Sequence, residues 1–212
     1  MIKDIIFDWD GTLVDTLPFL KETFDKTFSH LHKEQMTYEQ IRRIIHENSA
    51  QDMFISVFGQ DDSYHAKRYF HTYTLQNHLQ KLSPTHGAED ILSFCKKQNI
   101  RCHIFSNKKG NILRREIKAL GWQDYFYSIA GAGDLTTDKP TSTACKEFCM
   151  RNSIDTSKLF MIGDGPADTL SARFLNCPIA IICNQESYIG PKPDYTLQNI
   201  QEILPLLQTM LY

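Results

Sequence analysis

The sequence predicts an α/β fold in which a parallel sheet is flanked by helices on both faces and carries an inserted all-helical module. Three observations support this prediction. An apolar strand opens the chain, a long stretch of helical spacing follows it, and from about residue 84 onward short apolar strands alternate with amphipathic helices. Such alternation is typical of parallel strands joined by helices. Ligands bind beyond the carboxyl ends of the strands in such sheets, so the residues that follow each strand are the first candidates for function.

The first strand is predicted from the apolar residues at positions 5–7 and ends in two acidic residues, Asp8 and Asp10. Alternate residues of a strand point to the same face, so the two carboxylates are expected to lie side by side. Their repulsion raises their pKa values, and a hard divalent cation relieves it. Gly11 allows a tight turn whose N–H groups can face an anion. Taken alone, this stretch leaves open a polar turn without function.

The segment between residues 17 and 83 shows helical spacing and no strand pattern. Helices are predicted there over about residues 17–31, 37–47, 50–58 and 62–80. Several helices in succession after one strand do not form a strand–helix repeat, so we expect an inserted helical domain. The predicted domains are therefore a core of residues 1–16 and 84–212 and an insertion of residues 17–83.

The remainder of the chain returns to regular alternation of strands and helices. Strands are predicted over about residues 101–105, 127–130, 159–162, 178–183 and 195–197. Helices are predicted over about residues 87–98, 111–120, 140–151, 166–175 and 199–207. Gly121 is a typical C-terminal stop for the second of these helices.

Polar residues follow the later strands or open the helices after them. Ser106 and Asn107 offer a hydroxyl and N–H groups that can bind a phosphate oxygen, although such a pair is usually a turn. Lys139 precedes a helix, where its ammonium can neutralise a phosphate and a carboxylate; a solvated surface lysine is the alternative. Asp164 and Asp168 are one helical turn apart and can face one crevice. Stabilisation of a helix N-terminus is the alternative for these two acids.

The 212 residues have the composition of a globular protein, which we expect to be soluble and cytoplasmic. The hydrophobic fraction of 42% is sufficient for a packed core. A net charge of −2 provides no basic field for nucleic acid or for an anionic membrane. We expect the six cysteines to be reduced, because no secretion signal is evident. No run approaches the ~18 apolar residues of a membrane span.

The polar segments resemble, in order, the four motifs of the haloacid dehalogenase-like phosphohydrolases. The first is Asp-Trp-Asp-Gly-Thr-Leu-Val-Asp-Thr at residues 8–16, and the second is Ser-Asn-Lys at 106–108, in a form similar to that of phosphoglycolate phosphatase-like members. The third is Lys-Pro at 139–140, and the acidic fourth spans residues 163–168. The resemblance implies a Rossmann-like core with an inserted helical cap, called a C1 cap, at residues 17–83.

The resemblance also implies a role for each acidic residue. Asp8 is the nucleophile that forms an aspartyl-phosphate. Asp10 is the general acid that protonates the leaving group and later the base that activates water. Asp8 and Asp164, together with the backbone carbonyl of Asp10, are expected to hold Mg²⁺. Asp168 is expected to bind the ion directly or to support its ligands.

The phosphate-binding groups implied by the resemblance are Ser106 and Lys139, assisted by N–H groups near Gly11 and Asn107. Within the cap, residues 41–49 resemble a loop that faces the active site in phosphoglycolate phosphatase-like members, so Arg43 and His46 are candidates for substrate contacts. Relatives usually have Gly where His46 stands, and a solvated helix face is the alternative for Arg43. The isolated histidines, including His103, are expected at the surface or in packing roles.

The resulting hypothesis is a Mg²⁺-dependent phosphatase that hydrolyses a small phosphorylated metabolite, such as phosphoglycolate. A β-phosphoglucomutase-like phosphotransferase is one alternative, but those relatives usually have Gly-Val at residues 11–12 and lack an acid at position 168. A pyrophosphatase, a nucleotidase or a non-catalytic binding protein on the same fold are the others. Apart from the substrate we expect no nucleic-acid or membrane partner, and a monomer or weak dimer. The sequence does not name the substrate.

Overall fold

The structure is a computed structural model, and it describes residues 1–37, 39–41, 52–183 and 188–211. The chain divides into two compact units. The first contains Met1–Asp15 and Ser83–Tyr212, and the second contains Thr16–Leu82. Among the described residues, no helix combines the length and the apolar character needed to cross a bilayer.

The first unit is built on a six-stranded sheet in which all neighbouring strands are parallel. The strands are β1 (Asp4–Phe7), β2 (Arg101–Lys109), β3 (Phe126–Ala132), β4 (Leu159–Gly163), β5 (Ile179–Ile182) and β6 (Tyr195–Leu197). Their order across the sheet is β3-β2-β1-β4-β5-β6. The predicted parallel α/β fold is confirmed. The central strand β1 is buried along its whole length, because helices cover both faces of the sheet.

The helices follow the order expected from the hydrophobic spacing. In the first unit they are α4 (Ala88–Lys97), α5 (Gly110–Ala119), α6 (Ser142–Arg151), α7 (Pro166–Leu175) and α8 (Ile203–Leu211). In the second unit they are α1 (Leu17–His30), α2 (Asp52–Phe58) and α3 (Ser63–Asn77). Of the helix predicted over residues 37–47, residues 39–41 are helical and 42–47 lie outside the described residues.

Several element boundaries differ from the predictions. The second strand was expected to end at residue 105, but β2 continues to Lys109, which pairs with Ala132 after an irregularity in register. Residues 106–109 are polar, so their sequence does not predict a strand. The extension results from pairing with β3 and not from a local spacing of apolar residues. Helix α6 begins at Ser142 instead of residue 140, since the Thr141 hydroxyl caps it by accepting the N–H of Ala144. The last helix follows a 3₁₀ turn and extends to Leu211.

A buried polar cluster lies at the amino-terminal end of β1, at the opposite end of that strand from Asp8. His103 lies between Asp4, whose carboxylate is 2.9 Å from Nε2, and Ser128, whose hydroxyl is 2.7 Å from Nδ1. The guanidinium of Arg101 donates to the same Asp4 carboxylate, at 2.7 Å from Nε. Burial lowers the pKa of His103. This histidine therefore occupies a packing position with paired polar atoms, as the sequence suggested.

The second unit packs around an aromatic cluster. Its centre is formed by side chains of α1, α2 and α3, namely Phe24, Phe28, Phe54, Phe58 and Phe70. Ring centroids of the closest pairs lie 4.8–5.3 Å apart, within the range of favourable aromatic contacts. These residues recur at helical spacing in the sequence, which explains why the helical character of this unit was predictable.

Candidate active site

The candidate site begins where β1 ends. The N–H of Asp8 donates to the carbonyl of Ile162 at 2.9 Å, which places Asp8 beside the end of β4. The chain then turns tightly, and the N–H of Gly11 donates to the carbonyl of Val14 at 2.9 Å. Gly11 has φ +78°, a left-handed conformation that favours glycine. Asp8 is only 8% exposed, so its carboxylate is largely shielded from solvent.

Lys139 contacts β2, α7 and the residue that follows β1. Its Nζ donates to Asp8 Oδ1 at 2.8 Å, to Asp168 Oδ1 at 2.7 Å and to the carbonyl of Phe105 at 3.0 Å. Lys139 is 6% exposed, and burial alone would lower its pKa, but the two neighbouring carboxylates raise it overall. The residue therefore carries its charge in the interior and brings β1, β2 and α7 to one point.

The fourth motif forms the junction between β4 and α7. The second carboxylate oxygen of Asp168 accepts the N–H groups of Asp164 and Gly165 at 3.2 and 3.0 Å. It thereby satisfies two N–H groups at the start of the helix. A Cβ atom on Gly163 would lie 2.2 Å from Asp168 Cγ, so only glycine fits at the end of β4. One carboxylate oxygen of Asp168 therefore binds Lys139, and the other binds the N–H groups at the start of the helix.

Three acidic side chains form a cluster that could hold a metal ion. Asp8, Asp164 and Asp168 each offer an oxygen, and these oxygens lie within 4.8 Å of one another. Burial raises the pKa of Asp8 to about 6, against the lowering effect of Lys139. Burial and the charges of the other two acids raise the pKa of Asp164 well above its usual range. Carboxylate oxygens crowded in this way fit a hard divalent cation, which would replace the protons that otherwise relieve the repulsion.

The side chain of Asp10 points to a different partner. Its Oδ1 accepts from Lys108 Nζ at 2.7 Å, and the same Nζ lies 2.8 Å from Glu116 Oε2. Burial alone would lower the pKa of Lys108, but the charges of the two carboxylates raise it overall. Lys108 therefore stays charged beside Asp10, and a carboxylate from α5 completes the group.

The sequence of residues 5–182 matches the family model described as "Haloacid dehalogenase-like hydrolase". The chain belongs to the haloacid dehalogenase-like hydrolase family. The match covers most of the chain, from β1 to the end of β5, and so includes the carboxyl ends of β1, β2 and β4.

This haloacid dehalogenase-like hydrolase is similar to curated enzymes over nearly its whole length. It is 24% identical to "Phosphoglycolate phosphatase" of Photobacterium profundum, covering 98% of this chain and 96% of that protein. It is also 24% identical to "Pyrophosphatase PpaX" of Oceanobacillus iheyensis, covering 97% of each. Among solved structures, a haloacid dehalogenase-like family hydrolase from Streptococcus pneumoniae superposes with a TM-score of 0.86 at 21% identity, covering 98% of this chain and 99% of that one.

The structure brings some predicted site residues of this hydrolase together and leaves others apart. Asp8, Lys139, Asp164 and Asp168 meet in one cluster. Gly11 contacts it, because a Cβ atom there would lie 2.2 Å from Asp164 Oδ2. Ser106 is buried, and its hydroxyl accepts the N–H of Lys108 at 3.2 Å, whereas Asn107 is exposed. The candidate contacts Arg43 and His46 lie outside the described residues.

Two residues of the Asp10 environment were missed by sequence reasoning. Lys108 belongs to the second motif, but no role was attached to it, and Glu116 lies in a helix whose other inward residues are apolar. An acidic residue at an inward helical position was the available signal, because buried carboxylates are rare unless they are paired.

Replacing Gly11 with alanine is expected to disrupt the acidic cluster of this hydrolase. The new Cβ would overlap Asp164, and the left-handed conformation adds strain of about 1–2 kcal/mol. Gly121→Ala is the matched control, because Gly121 has φ +70° and, apart from its chain neighbours, no heavy atom of the described residues lies within 4 Å of its Cβ position. We expect both variants to lose stability, and only Gly11→Ala to lose activity, by about 100-fold. Equal activity losses in the two variants, measured as kcat/KM, would contradict this prediction.

Proposed function

We propose that the chain is a Mg²⁺-dependent phosphatase that hydrolyses a small phosphorylated metabolite through an aspartyl-phosphate on Asp8. The observation that carries the proposal is the buried Lys139 ammonium between Asp8 and Asp168. It places a positive charge beside the carboxylate of Asp8, the proposed nucleophile, where the charge of a transferring phosphoryl group would need to be neutralised. The similarity to curated phosphatases and pyrophosphatases supports the same reaction class.

The proposed reaction has two steps, and both use residues of the first motif. A carboxylate oxygen of Asp8 attacks phosphorus, the bond from phosphorus to the leaving oxygen breaks, and Asp10 gives that oxygen a proton. In the second step Asp10 takes a proton from water, whose oxygen attacks the aspartyl-phosphate. The bond between phosphorus and Asp8 breaks, phosphate leaves, and both carboxyl groups return to their starting states.

The residues that would bind the phosphoryl group lie around Lys139. Lys139 donates to the carbonyl of Phe105, and Ser106 is the next residue in the chain. Ser106 and Lys139 therefore belong to the same part of the proposed site. N–H groups near Gly11 and Asn107 would complete the set of donors. These groups hold the equatorial oxygens and orient phosphorus toward Asp8, because phosphoryl transfer depends mainly on positioning and charge.

Mg²⁺ fits the acidic cluster on the chemistry of its donors. Asp8, Asp164 and the backbone carbonyl of Asp10 would hold the ion, and Asp168 would bind it directly or support its ligands. When bound, it would supply positive charge that offsets the charges of the carboxylates and the phosphate. The side chains named above carry an excess of negative charge, five carboxylates against two ammonium groups: Asp8, Asp10, Glu116, Asp164 and Asp168 against Lys108 and Lys139.

The second unit, residues 17–83 in the predicted division, is proposed to act as a C1 cap. Its role would be to contact the leaving group of the substrate and to exclude water. Arg43 and His46 remain the proposed contacts. The cap would therefore select the metabolite, while the first unit would perform the chemistry.

Mg²⁺ is expected to raise the melting temperature at pH 7.5 but much less at pH 5. The pKa of Asp8 rises from its ordinary value of ~4 to about 6 in the folded protein. Ionising Asp8 therefore costs the metal-free protein stability as the pH rises through this window, and the ion removes that cost. Below pH 6, protons compete with the ion for Asp8 and Asp164. At 100 times its Kd, Mg²⁺ should add about 2.7 kcal/mol, or about 5–10 °C.

Asp164→Asn should remove most of this stabilisation, because one ligand is lost. Asp124→Asn, an exposed acid on a 3₁₀ turn, is the matched control and should behave like the wild type. An equal rise in melting temperature at both pH values, or full stabilisation of Asp164→Asn, would argue against the proposed metal site.

The experiment that tests the proposed function is phosphate release from a panel of compounds in the presence of Mg²⁺. The panel contains phosphoglycolate, sugar phosphates, nucleotides and pyrophosphate. A pyrophosphatase is the second candidate, because the similar proteins include a pyrophosphatase as well as a phosphoglycolate phosphatase. Selective turnover of an ester or of pyrophosphate decides between the two candidates. No turnover of any compound by folded, Mg²⁺-loaded protein would overturn both.

A further inference from the structure

We infer that Lys108 is a positioning residue for Asp10 and that Glu116 and Trp9 hold Lys108 in place. The inference rests on the proposed function, in which Asp10 protonates the leaving group. It adds to that function a structural reason for the orientation of the acid. The contact with Lys108 fixes one oxygen of Asp10, and the other members of the group lie outside the acidic cluster.

The contacts among Asp10, Lys108, Glu116 and Trp9 form a closed ring. Lys108 Nζ joins Asp10 Oδ1 at 2.7 Å and Glu116 Oε2 at 2.8 Å. The same Glu116 oxygen accepts the indole N–H of Trp9 at 2.7 Å. Trp9 directly precedes Asp10 in the chain. Asp10 is therefore tied to Glu116 twice, once through its side chain and Lys108, and once through the backbone and Trp9.

In this ring of contacts, Glu116 and Trp9 are held rigidly because both side chains are buried. Trp9 is fully buried and packs edge-to-face against Trp122 and Phe126, with ring centroids 6.0 and 6.4 Å away. The Glu116 side chain is 2% exposed and lies on the inward face of α5. Strand β2 carries Lys108, and the helix that begins directly after it, α5, carries Glu116. Lys108 is therefore held by Glu116, which lies on α5 and not in the turn that carries Asp10.

Asp10 itself needs such a support. Its side chain is 37% exposed, and it lies in the turn after β1 rather than within a regular element. A carboxylate on a turn can rotate away from the leaving oxygen, whereas proton transfer requires hydrogen-bond distance to that oxygen. Lys108 restricts this rotation by holding Oδ1. Displacement of a reacting group by about 1 Å can cost about 100-fold in rate.

A purely structural ion pair makes a different prediction from a positioning residue. Loss of a structural pair lowers stability, and any loss of activity is then similar for all substrates. Loss of a residue that orients the general acid harms substrates whose leaving group needs a proton more than those whose leaving group does not. Phenyl phosphate and 2,4-dinitrophenyl phosphate form a suitable pair, because dinitrophenol is far more acidic than phenol. The comparison uses kcat/KM, which covers formation of the aspartyl-phosphate and excludes its hydrolysis.

The decisive variants are Lys108→Met and the double variant Lys108→Met/Glu116→Gln, both assayed as the full chain with Mg²⁺. Lys108→Met is expected to lower kcat/KM for phenyl phosphate by about 100-fold and for dinitrophenyl phosphate by less than about 10-fold. The double variant should match it within about 3-fold, because Glu116 acts through Lys108. Glu116→Gln removes the carboxylate that Lys108→Met would leave in the interior without its counter-charge, so the double variant protects the test against misfolding. Lys108→Arg should recover part of the loss for phenyl phosphate.

Lys118→Met is the matched control, since Lys118 is exposed on α5, the helix that carries Glu116, and it should resemble the wild type with both substrates. Equal losses for the two substrates in folded Lys108→Met or in the double variant would overturn the inference, and so would wild-type rates. Failure of the wild type to hydrolyse both aryl phosphates and every compound of the metabolite panel would overturn the proposed function, and the inference with it. The two failures are therefore distinguishable, because only the second one affects the wild type.

Discussion

Replacing Asp8 with asparagine is expected to abolish phosphate release, with a loss of at least about 10⁴-fold in kcat. An amide is a far weaker nucleophile than a carboxylate and cannot form the aspartyl-phosphate. The folded state should survive the change, because Asn has the size of Asp and Lys139 keeps Asp168 and the Phe105 carbonyl as partners. The measurement is phosphate release with the compound from the panel that the wild type hydrolyses fastest.

A second readout makes the Asp8 prediction specific. Acid-quenched wild type should carry a hydroxylamine-sensitive phosphoryl group on the peptide that contains Asp8, and Asp8→Asn should not. Asp124→Asn, the same chemical change at an exposed position, should retain both activity and labelling. Turnover by folded Asp8→Asn at more than about a hundredth of the wild-type rate would rule out the proposed covalent intermediate.

Replacing Lys139 with methionine is expected to cost both activity and stability. Two carboxylates, those of Asp8 and Asp168, would remain in the interior without their counter-charge. Breaking a buried ion pair from one side typically lowers the free energy of unfolding by about 3–5 kcal/mol. Activity should fall by about 10³-fold, because the ammonium that neutralises the transferring phosphoryl group is lost. Urea denaturation and kcat/KM measure the two effects separately.

Lys158→Met is the matched control for Lys139→Met. Lys158 also pairs with an aspartate, Asp155, at 3.0 Å, but the two side chains are 45% and 52% exposed. A solvent-exposed pair of this kind contributes about 0–1 kcal/mol. We expect Lys158→Met to keep its activity and nearly all of its stability. Similar stability losses in the two variants would show that Lys139 is not the counter-charge of a buried site.

The double variant Lys139→Met/Asp168→Asn separates the two roles of Lys139. Removing the charge of Asp168 leaves Asp8 as the remaining carboxylate of the pair that faced the ammonium. Stability should therefore recover in part relative to Lys139→Met, while activity should stay low. Recovery of activity together with stability would mean that Lys139 acts only through folding.

The sequence by itself determined the fold class, the element order and the membership of a hydrolase family. Strands and helices were predictable because their spacing of apolar residues is local, as in the fully buried β1 and the inward stripe of α5. The rule that ligands bind beyond the carboxyl ends of parallel strands then made the polar residues near those ends, among them Asp8, Lys139 and Asp164, candidates for function. The roles of these residues come from the resemblance to the family and are what the Asp8 and Lys139 variants test.

The tertiary structure decided which polar atoms pair. Sequence spacing placed Asp168 in the same crevice as Asp164, but only the structure shows one of its oxygens on Lys139 and the other on helix N–H groups. The extension of β2 to Lys109 and the contact of Lys108 with Glu116 were equally hidden. Such contacts join residues that local periodicity does not relate, because they depend on the register of neighbouring strands and on the face that a packed helix turns inward.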